Sequence, residues 1–438
     1  MGATGFSIAQ FLASKGRAFH VFDTRSSSTM SDRFDVAFPE AQKFFGDIDN
    51  AILLNAEEIY ISPGVSRKEK AISSALAAGK SVVGDIELFL REVEKPVIGI
   101  TGSNGKSTVT TLVGIVAEKS QINVGVGGNI GTPALELLND STDLYVLELS
   151  SFQLESTPTP NLEVACNLNI SADHMDRYEG LDDYASVKRG IYIGAKNTVH
   201  NLDDDLTKPE TAHAGQHYAF GVSDFVAEDS AVHSYHYCTD SGWLKCNAEL
   251  LIHRDDIKVK GMHNIANALA LFAISDAAQL KREACVSTLK EFKGLSHRCE
   301  YLAEQDGVTY INDSKATNVG AAVAAIEGLA SEFKNIVLIA GGQGKGAEFD
   351  VLGRCIKDHV RLVILLGEDK AKIASALPST VETAFSNSME EAVAICKAKA
   401  QADELVLLSP ACASFDMFSS FEHRGDIFRE AVMKGGDL

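Results

Sequence analysis

No run of apolar residues in this 438-residue chain reaches membrane-spanning length, and no signal peptide opens it. Both absences predict a soluble cytoplasmic protein. The eight cysteines (166, 238, 246, 285, 299, 355, 396 and 412) show no CxxC or other ligand spacing, which argues against a zinc site or a disulfide framework and fits a reducing compartment. Positive charge is short as well: 40 Lys and Arg stand against 60 Asp and Glu, a net −20. That balance argues against a nucleic-acid partner or an anionic membrane surface, and any phosphate-rich ligand must be drawn by local cations and metals. Internal repeats and low-complexity tracts are missing too. The length exceeds what one core serves, so about two or three well-packed domains are expected.

What is there begins at Val97-Ile98-Gly99-Ile100-Thr101-Gly102-Ser103-Asn104-Gly105-Lys106-Ser107-Thr108. An apolar strand runs straight into a Gly-rich turn ending in Gly-Lys-Ser, with a helix predicted over Lys106 to Lys119. Small residues let successive backbone N–H groups close around phosphate oxygens, and the helix adds its positive N-terminus. Lys106 supplies a mobile cation, and Ser107 a hydroxyl for Mg²⁺. The general pattern G-x-x-x-x-G-K-[ST] needs glycine at position 100, which is Ile, so this is a shorter T-G-x-x-G-K-S loop.

Around it the chain reads as α/β. Gly2-Ala3-Thr4-Gly5, the helical pattern Phe6 to Lys15 and the strand Ala18 to Phe22 closing on Asp23-Thr24-Arg25 read as part of a Rossmann-like unit. The strand that should precede the glycines is absent, so an N-terminal truncation or a late start is expected, and a longer version should resist heat better. GxxG by itself marks a tight turn as readily as a diphosphate site. Ser62-Pro63-Gly64-Val65 follows the strand Glu58 to Ile61, and Arg91 to Pro96 forms a polar link.

In the middle of the chain, Leu144 to Leu149 is a strand whose tip carries Glu148, placed to hold Mg²⁺ beside the phosphate loop. Val164 to Ile170 ends in Ser171-Ala172-Asp173-His174-Met175-Asp176; there His174 is either a metal ligand or a hydrogen-bonded surface group. Short alternating strands over Asn201 to Lys260 are expected to decorate the central sheet, before a helix over Asn264 to Ala278. After Glu291 to Ser296, strands Val308 to Ile311, Asn335 to Ala340 and Glu404 to Leu408 each end in small polar residues, which predicts a second α/β sheet with a ligand at its carboxyl edge.

Taken together, TGSNGKST, GGNIGTP, LELSSFQLE, NISADHMDRY, KGMHNIANALA, GLSHRCE, NDSKATN, GGQGKG and LLSPACASFDMF, in that order along nearly the whole chain, resemble the Mur ligase family. The resemblance implies three domains: a Rossmann-like N-terminal domain for a UDP-sugar (1–92), a central P-loop ATPase domain (93–293) and a Rossmann-like C-terminal domain (294–438). It implies amide formation driven by ATP cleavage to ADP, through an acyl phosphate. No Asp-Asn-Pro-Arg segment of the diaminopimelate-adding branch is present, which favours D-glutamate addition to UDP-N-acetylmuramoyl-L-alanine. The resemblance also implies a monomer, and no long apolar surface helix suggests an interface.

Residue by residue, the resemblance gives ATP to Gly102, Ser103, Asn104, Gly105, Lys106, Ser107 and Thr108, with Asn264, Arg298 and Asp313 around adenine and ribose. Ser107 and Glu148 match ligands of the Mg²⁺ on ATP; His174 and Lys188 match a second metal position, with Lys188 carbamylated. A lysine reacts with CO₂ only if its pKa is lowered. By position alone, Lys188 reads as a surface lysine on a helix spanning Tyr184 to Ile193. Lys106, His174 and Lys188 form the expected catalytic set. Thr4, Asp23, Thr24, Arg25, Ser62, Gly64 and Asn129 match the UDP-sugar site, and Thr317, Lys345, Ser414 and Phe421 the D-glutamate site. Gln343 departs from the family's aspartate. The rival readings are a folylpolyglutamate synthase-like ligase, a P-loop switch or motor, and a nicotinamide-dependent oxidoreductase.

Overall fold

A computed structural model describes residues 2–25, 30–46, 50–171, 173, 177–210, 215–223, 232–259, 261–330, 332–344 and 346–434. The chain forms two compact units, Met1–Arg254 with Ala266–Thr288, and Asp255–Ile265 with Leu289–Leu438.

The first unit opens with the helix Ala3–Ser14, so Thr4 sits in a first helical turn where the glycines predicted a loop. Glycine and threonine enter a first turn at little cost when the apolar face that follows is buried, and Phe6, Ile8, Ala9, Phe11 and Leu12 all are. Strands β1 (Val21–Asp23) and β2 (Lys43–Phe45) pair in parallel, as do β3 (Ile59–Tyr60) and β4 (Val82–Val83). The predicted first strand is thus shorter and ends later, on Asp23.

The rest of the unit is a nine-stranded sheet. Its strands are β5 (Val97–Thr101), β6 (Val124–Gly128), β7 (Leu144–Glu148), β8 (Val164–Asn167), β9 (Asn197–Asn201), β10 (His217–Gly221), β11 (Val232–Cys238), β12 (Trp243–Cys246) and β13 (Glu249–His253). They lie in the order β13-β12-β11-β10-β9-β8-β5-β7-β6, parallel from β11 to β6 and antiparallel beyond β11. The segment expected to decorate the sheet instead widens it. β5 lies between β7 and β8, so their carboxyl ends converge on the phosphate loop. Ile8, Phe11 and Leu12 of the first helix share a core with Val97, Leu147 and Ala165.

The second unit holds a six-stranded sheet ordered β14-β15-β19-β16-β17-β18. Its members are β14 (Glu300–Gln305), β15 (Val308–Asn312), β16 (Ile336–Gly341), β17 (Val360–Leu366), β18 (Glu382–Phe385) and β19 (Leu405–Leu408). Only β14 runs antiparallel to its neighbour. Alternate residues of β16 feed two cores, Ile336, Leu338 and Ala340 to one and Val337 and Ile339 to the other. A sheet buried on both faces explains why these strands read as unbroken apolar runs. Among the described residues, no helix is long and apolar enough to cross a membrane.

Candidate active site

The phosphate loop follows β5, all of which is buried. Gly102 and Gly105 take φ of 150° and 82°, in the region that side chains rarely adopt. A Cβ on Gly105 would also lie 2.6 Å from Asn267 Oδ1. Asn169, just past β8, braces the loop: its carbonyl accepts from the Ser103 N–H, its Oδ1 from the Asn104 N–H, and its Nδ2 donates to Asn104 O, at 2.8, 2.8 and 3.0 Å. Ser103 Oγ meets Tyr184 OH at 3.2 Å. The helix Lys106–Lys119 starts at Gly105 with no side-chain cap, leaving its leading N–H groups to an anion; Ser107 is buried in its first turn, with Thr108 beside it.

Two lysines converge on one carbonyl. Lys106 Nζ donates to Gly102 O at 2.7 Å and to Ser103 O at 2.9 Å; Lys188 Nζ donates to Gly102 O at 2.9 Å and to Thr101 Oγ1 at 3.2 Å. Lys188 lies on the helix Leu181–Arg189, and it is 1% exposed. Burial, and next the charge of Lys106, hold its ammonium form well below the usual lysine range, against a weaker pull from Asp173 and Glu148. A lysine that position alone reads as a surface cation is therefore buried and faces inward.

Glu148, at the end of β7, is 2% exposed. Its Oε1 accepts from Asn129 Nδ2 at 2.7 Å, while the buried Oε2 has no partner among the described residues. The Asn129 N–H also donates to Glu148 O at 2.8 Å. This close approach needs Gly128, where φ is 100° and a Cβ would fall 2.5 Å from Glu148 O. Asn129, matched to the UDP-sugar, thus also orients the acid. A buried carboxylate oxygen with no donor is costly unless a cation meets it, so the donor set fits Mg²⁺. Among the described residues, no group of three His, Cys, Asp or Glu is gathered for a metal. His174 lies outside the described residues, as does Lys345.

In the same unit, Asp23 is held by Arg25, whose Nε and Nη2 donate at 2.8 and 2.7 Å. That pairing keeps the Asp23 carboxyl well below the usual range. Thr24 lies between them in the chain. Ser62 Oγ is 3.5 Å from where a Cβ on Gly5 would sit, so the first helix and the Ser62–Val65 turn are neighbours.

In the second unit, burial pushes the Asp313 carboxyl up to about 7, although Ser409 Oγ (2.8 Å) and the Cys299 N–H (3.2 Å) donate to it. Cys299 follows Arg298, whose charge also favours the ionised acid. Asn264 Nδ2 lies 3.1 Å from His263 Nε2. Lys315 Nζ lies 4.9 Å from the centre of the Phe421 ring, and the Thr317 N–H donates to Lys315 O at 2.8 Å. Buried Ser414 follows Ala413, which exchanges two backbone hydrogen bonds with Gln343. Arg424, 1% exposed, ties these loops together through Ser314 Oγ, Ser314 O and Cys412 O at 3.0, 2.8 and 3.0 Å. Sequence reading missed Arg424, Asn169 and Tyr184. Only Asn169 left a trace, as a polar residue at a strand tip beside the phosphate loop.

Comparison with known proteins divides the chain into three parts. A MurD-like N-terminal domain model of the Mur ligases matches residues 1–84, the Mur ligase middle domain 100–275, and the Mur ligase glutamate ligase domain 297–412. The chain belongs to the Mur ligase family. Curated relatives named UDP-N-acetylmuramoylalanine--D-glutamate ligase are similar over its length. That of Teredinibacter turnerae is 48% identical over 435 residues, covering 99% of this chain and 96% of the relative. That of Saccharophagus degradans is 49% identical over 438 residues, with the same 99% and 96% coverage. Solved Mur-type ligases share the fold at lower identity. A pseudomurein peptide ligase type C from Methanothermus fervidus aligns with TM-score 0.60 at 18% identity, covering 99% of this chain and 98% of that one. MurF from Thermotoga maritima, in complex with ADP, aligns with TM-score 0.58 at 16% identity, covering 88% and 99%. The Mur ligase thus has the expected three-domain α/β fold, with an N-terminal match that speaks against the rival readings.

Proposed function

We propose that this Mur ligase joins D-glutamate to the L-alanyl carboxylate of UDP-N-acetylmuramoyl-L-alanine, cleaving ATP to ADP and phosphate, in cytoplasmic peptidoglycan precursor synthesis. The observation that carries the reading is the phosphate loop with Lys106 and Lys188 on one carbonyl and, close by, Glu148 Oε2, which has no partner among the described residues. Relatives of near-equal length bearing that activity's name support it.

A carboxylate oxygen attacks the γ-phosphorus, the bond to the ADP oxygen breaks, and an acyl phosphate forms. The D-glutamate amine then attacks the carbonyl carbon, loses a proton, and expels phosphate. Two anions must meet in the first step, so neutralising charge decides its rate. When bound, Mg²⁺ withdraws charge from the phosphates; Glu148 and Ser107 would hold it. Lys106, released from the Gly102 and Ser103 carbonyls, pairs with the outer phosphates. Gly102, Ser103, Asn104, Gly105 and Thr108 enclose them, and Asn264, Arg298 and Asp313 take the nucleoside.

Lys188, whose hold on its proton is weakened by burial, is suited to add CO₂ through Nζ and release a proton. The resulting carbamate, with His174, would hold a second metal ion. Asp23, Thr24, Arg25, Thr4, Ser62, Gly64 and Asn129 serve the UDP-sugar; Thr317, Lys345, Ser414 and Phe421 serve D-glutamate. We read the boundaries as 1–92, 93–293 and 294–438, and the enzyme as a monomer without nucleic-acid partners, in keeping with its −20 charge. Phosphate release from ATP and Mg²⁺ is the test. The reading expects release only with UDP-N-acetylmuramoyl-L-alanine and D-glutamate both present; equal release with either omitted would overturn it.

A further inference from the structure

The turn Ser62-Pro63-Gly64-Val65 closes with the Val65 N–H donating to Ser62 O at 2.9 Å. Proline followed by glycine at its centre favours a type II turn, in which the glycine takes a positive φ. Gly64 does not. The two common turn types differ in the facing of the central peptide, here Pro63–Gly64. Arg177 grips that peptide: its Nη1 donates to Pro63 O at 3.1 Å, and its Nη2 reaches Val65 O at 3.4 Å.

Arg177 is itself held in place. Its Nε and Nη2 form a fork on Glu155 at 3.1 and 2.7 Å, and its guanidinium lies 4.2 Å from the centre of the Phe152 ring. Glu155 also accepts from Tyr178 OH at 2.5 Å, and its backbone carbonyl from Arg67. Glu155 ends the short helix Ser151–Leu154, which Ser150 and Gln153 cap reciprocally directly after β7 and Glu148. One brace therefore joins the Ser62–Val65 turn to the strand tip that carries the acid.

A trans peptide points its C=O and N–H in opposite directions. Drawing Pro63 O toward Arg177 thus turns the Gly64 N–H away from it, on an exposed residue. We propose that Arg177 is a positioning residue for the UDP-sugar substrate: it selects the facing of the Pro63–Gly64 peptide and so aims the Gly64 N–H at the substrate's diphosphate. The proposal rests on the ligase reading above.

Steady-state kinetics on the full chain, with KM measured separately for UDP-N-acetylmuramoyl-L-alanine and ATP, test it. Arg177→Gln raises the UDP-substrate KM by about 10–100-fold and leaves the ATP KM within about twofold. Arg177→Lys keeps the cation but loses the fork, and falls between. Adding Gly64→Ala to either variant lowers the raised KM, because alanine resists the positive φ of the alternative turn, and a Cβ there meets nothing within 4 Å among the described residues. An unchanged UDP-substrate KM in both Arg177 variants, equal rises in both KM values, or no recovery on adding Gly64→Ala overturns the role. If Arg177→Gln does not fold, Arg177→Lys with and without Gly64→Ala decides. A wild-type enzyme that does not turn over the UDP-sugar would instead overturn the ligase reading beneath it.

Discussion

Asp313→Asn should remove a pH-dependent cost from the second unit. The wild-type carboxyl, ordinarily near 3.8, is pushed up to about 7 by burial. A raised acid pKa means that the folded chain holds this proton more tightly than the unfolded chain does. The contribution to stability is therefore complete below about pH 4 and is lost as pH rises through about 7. Three units at about 1.4 kcal/mol each give a total near 4 kcal/mol, more than half of which falls between about pH 5 and pH 8. Asparagine keeps an Oδ1 acceptor for the Cys299 N–H and turns its Nδ2 donor to the Ser409 hydroxyl, which can accept as well as donate, and it carries no charge to bury. Hydrogen exchange of peptides from β15 and β19 is the assay, comparing variant with wild type at each pH so that intrinsic rates cancel. Wild-type protection should fall relative to the variant by a factor of roughly several tens across that window, if these strands open through the unfolding that wets Asp313. A constant ratio between the two proteins would refute the reasoning, since the acid would then be paired or hydrated as an ordinary carboxylate.

Two further outcomes follow from the first unit. Asn129→Leu removes the donor to Glu148 Oε1 and should weaken activation by Mg²⁺ by about 10–100-fold, read from the Mg²⁺ dependence of phosphate release; an unchanged Mg²⁺ midpoint would count against Glu148 as the metal's acid. Enzyme equilibrated with ¹³C-bicarbonate should show a carbamate carbon by NMR that Lys188→Ala lacks, and the variant should lose ligation; an intact, fully active Lys188→Ala would end that assignment.

Sequence and structure agree best where local chemistry decides the outcome. The helix Lys106–Lys119 was legible at both ends, because the Gly-rich turn starts it and the apolar pattern sustains it. β7 and its Glu148 tip were legible for the same reason. The start of the first helix at Ala3 was not, since glycine and threonine there read as a loop until the buried face of Phe6, Ile8 and Leu12 is known. The burial of Lys188 and Arg424 was invisible for a related cause. Each lies on an amphipathic helix where a cation ordinarily faces water, and only the tertiary arrangement turns it inward. Arg177 lies within the NISADHMDRY motif, yet its grip on Pro63 spans more than a hundred residues of chain.

Product analysis tests the D-glutamate assignment most directly. With ATP, Mg²⁺ and UDP-N-acetylmuramoyl-L-alanine, the enzyme should convert the UDP-sugar, by mass, to its D-glutamyl amide with one phosphate released per amide. L-glutamate, lysine and diaminopimelate should give little or no amide. An amide formed faster with any of these than with D-glutamate, or phosphate released without amide, would contradict it.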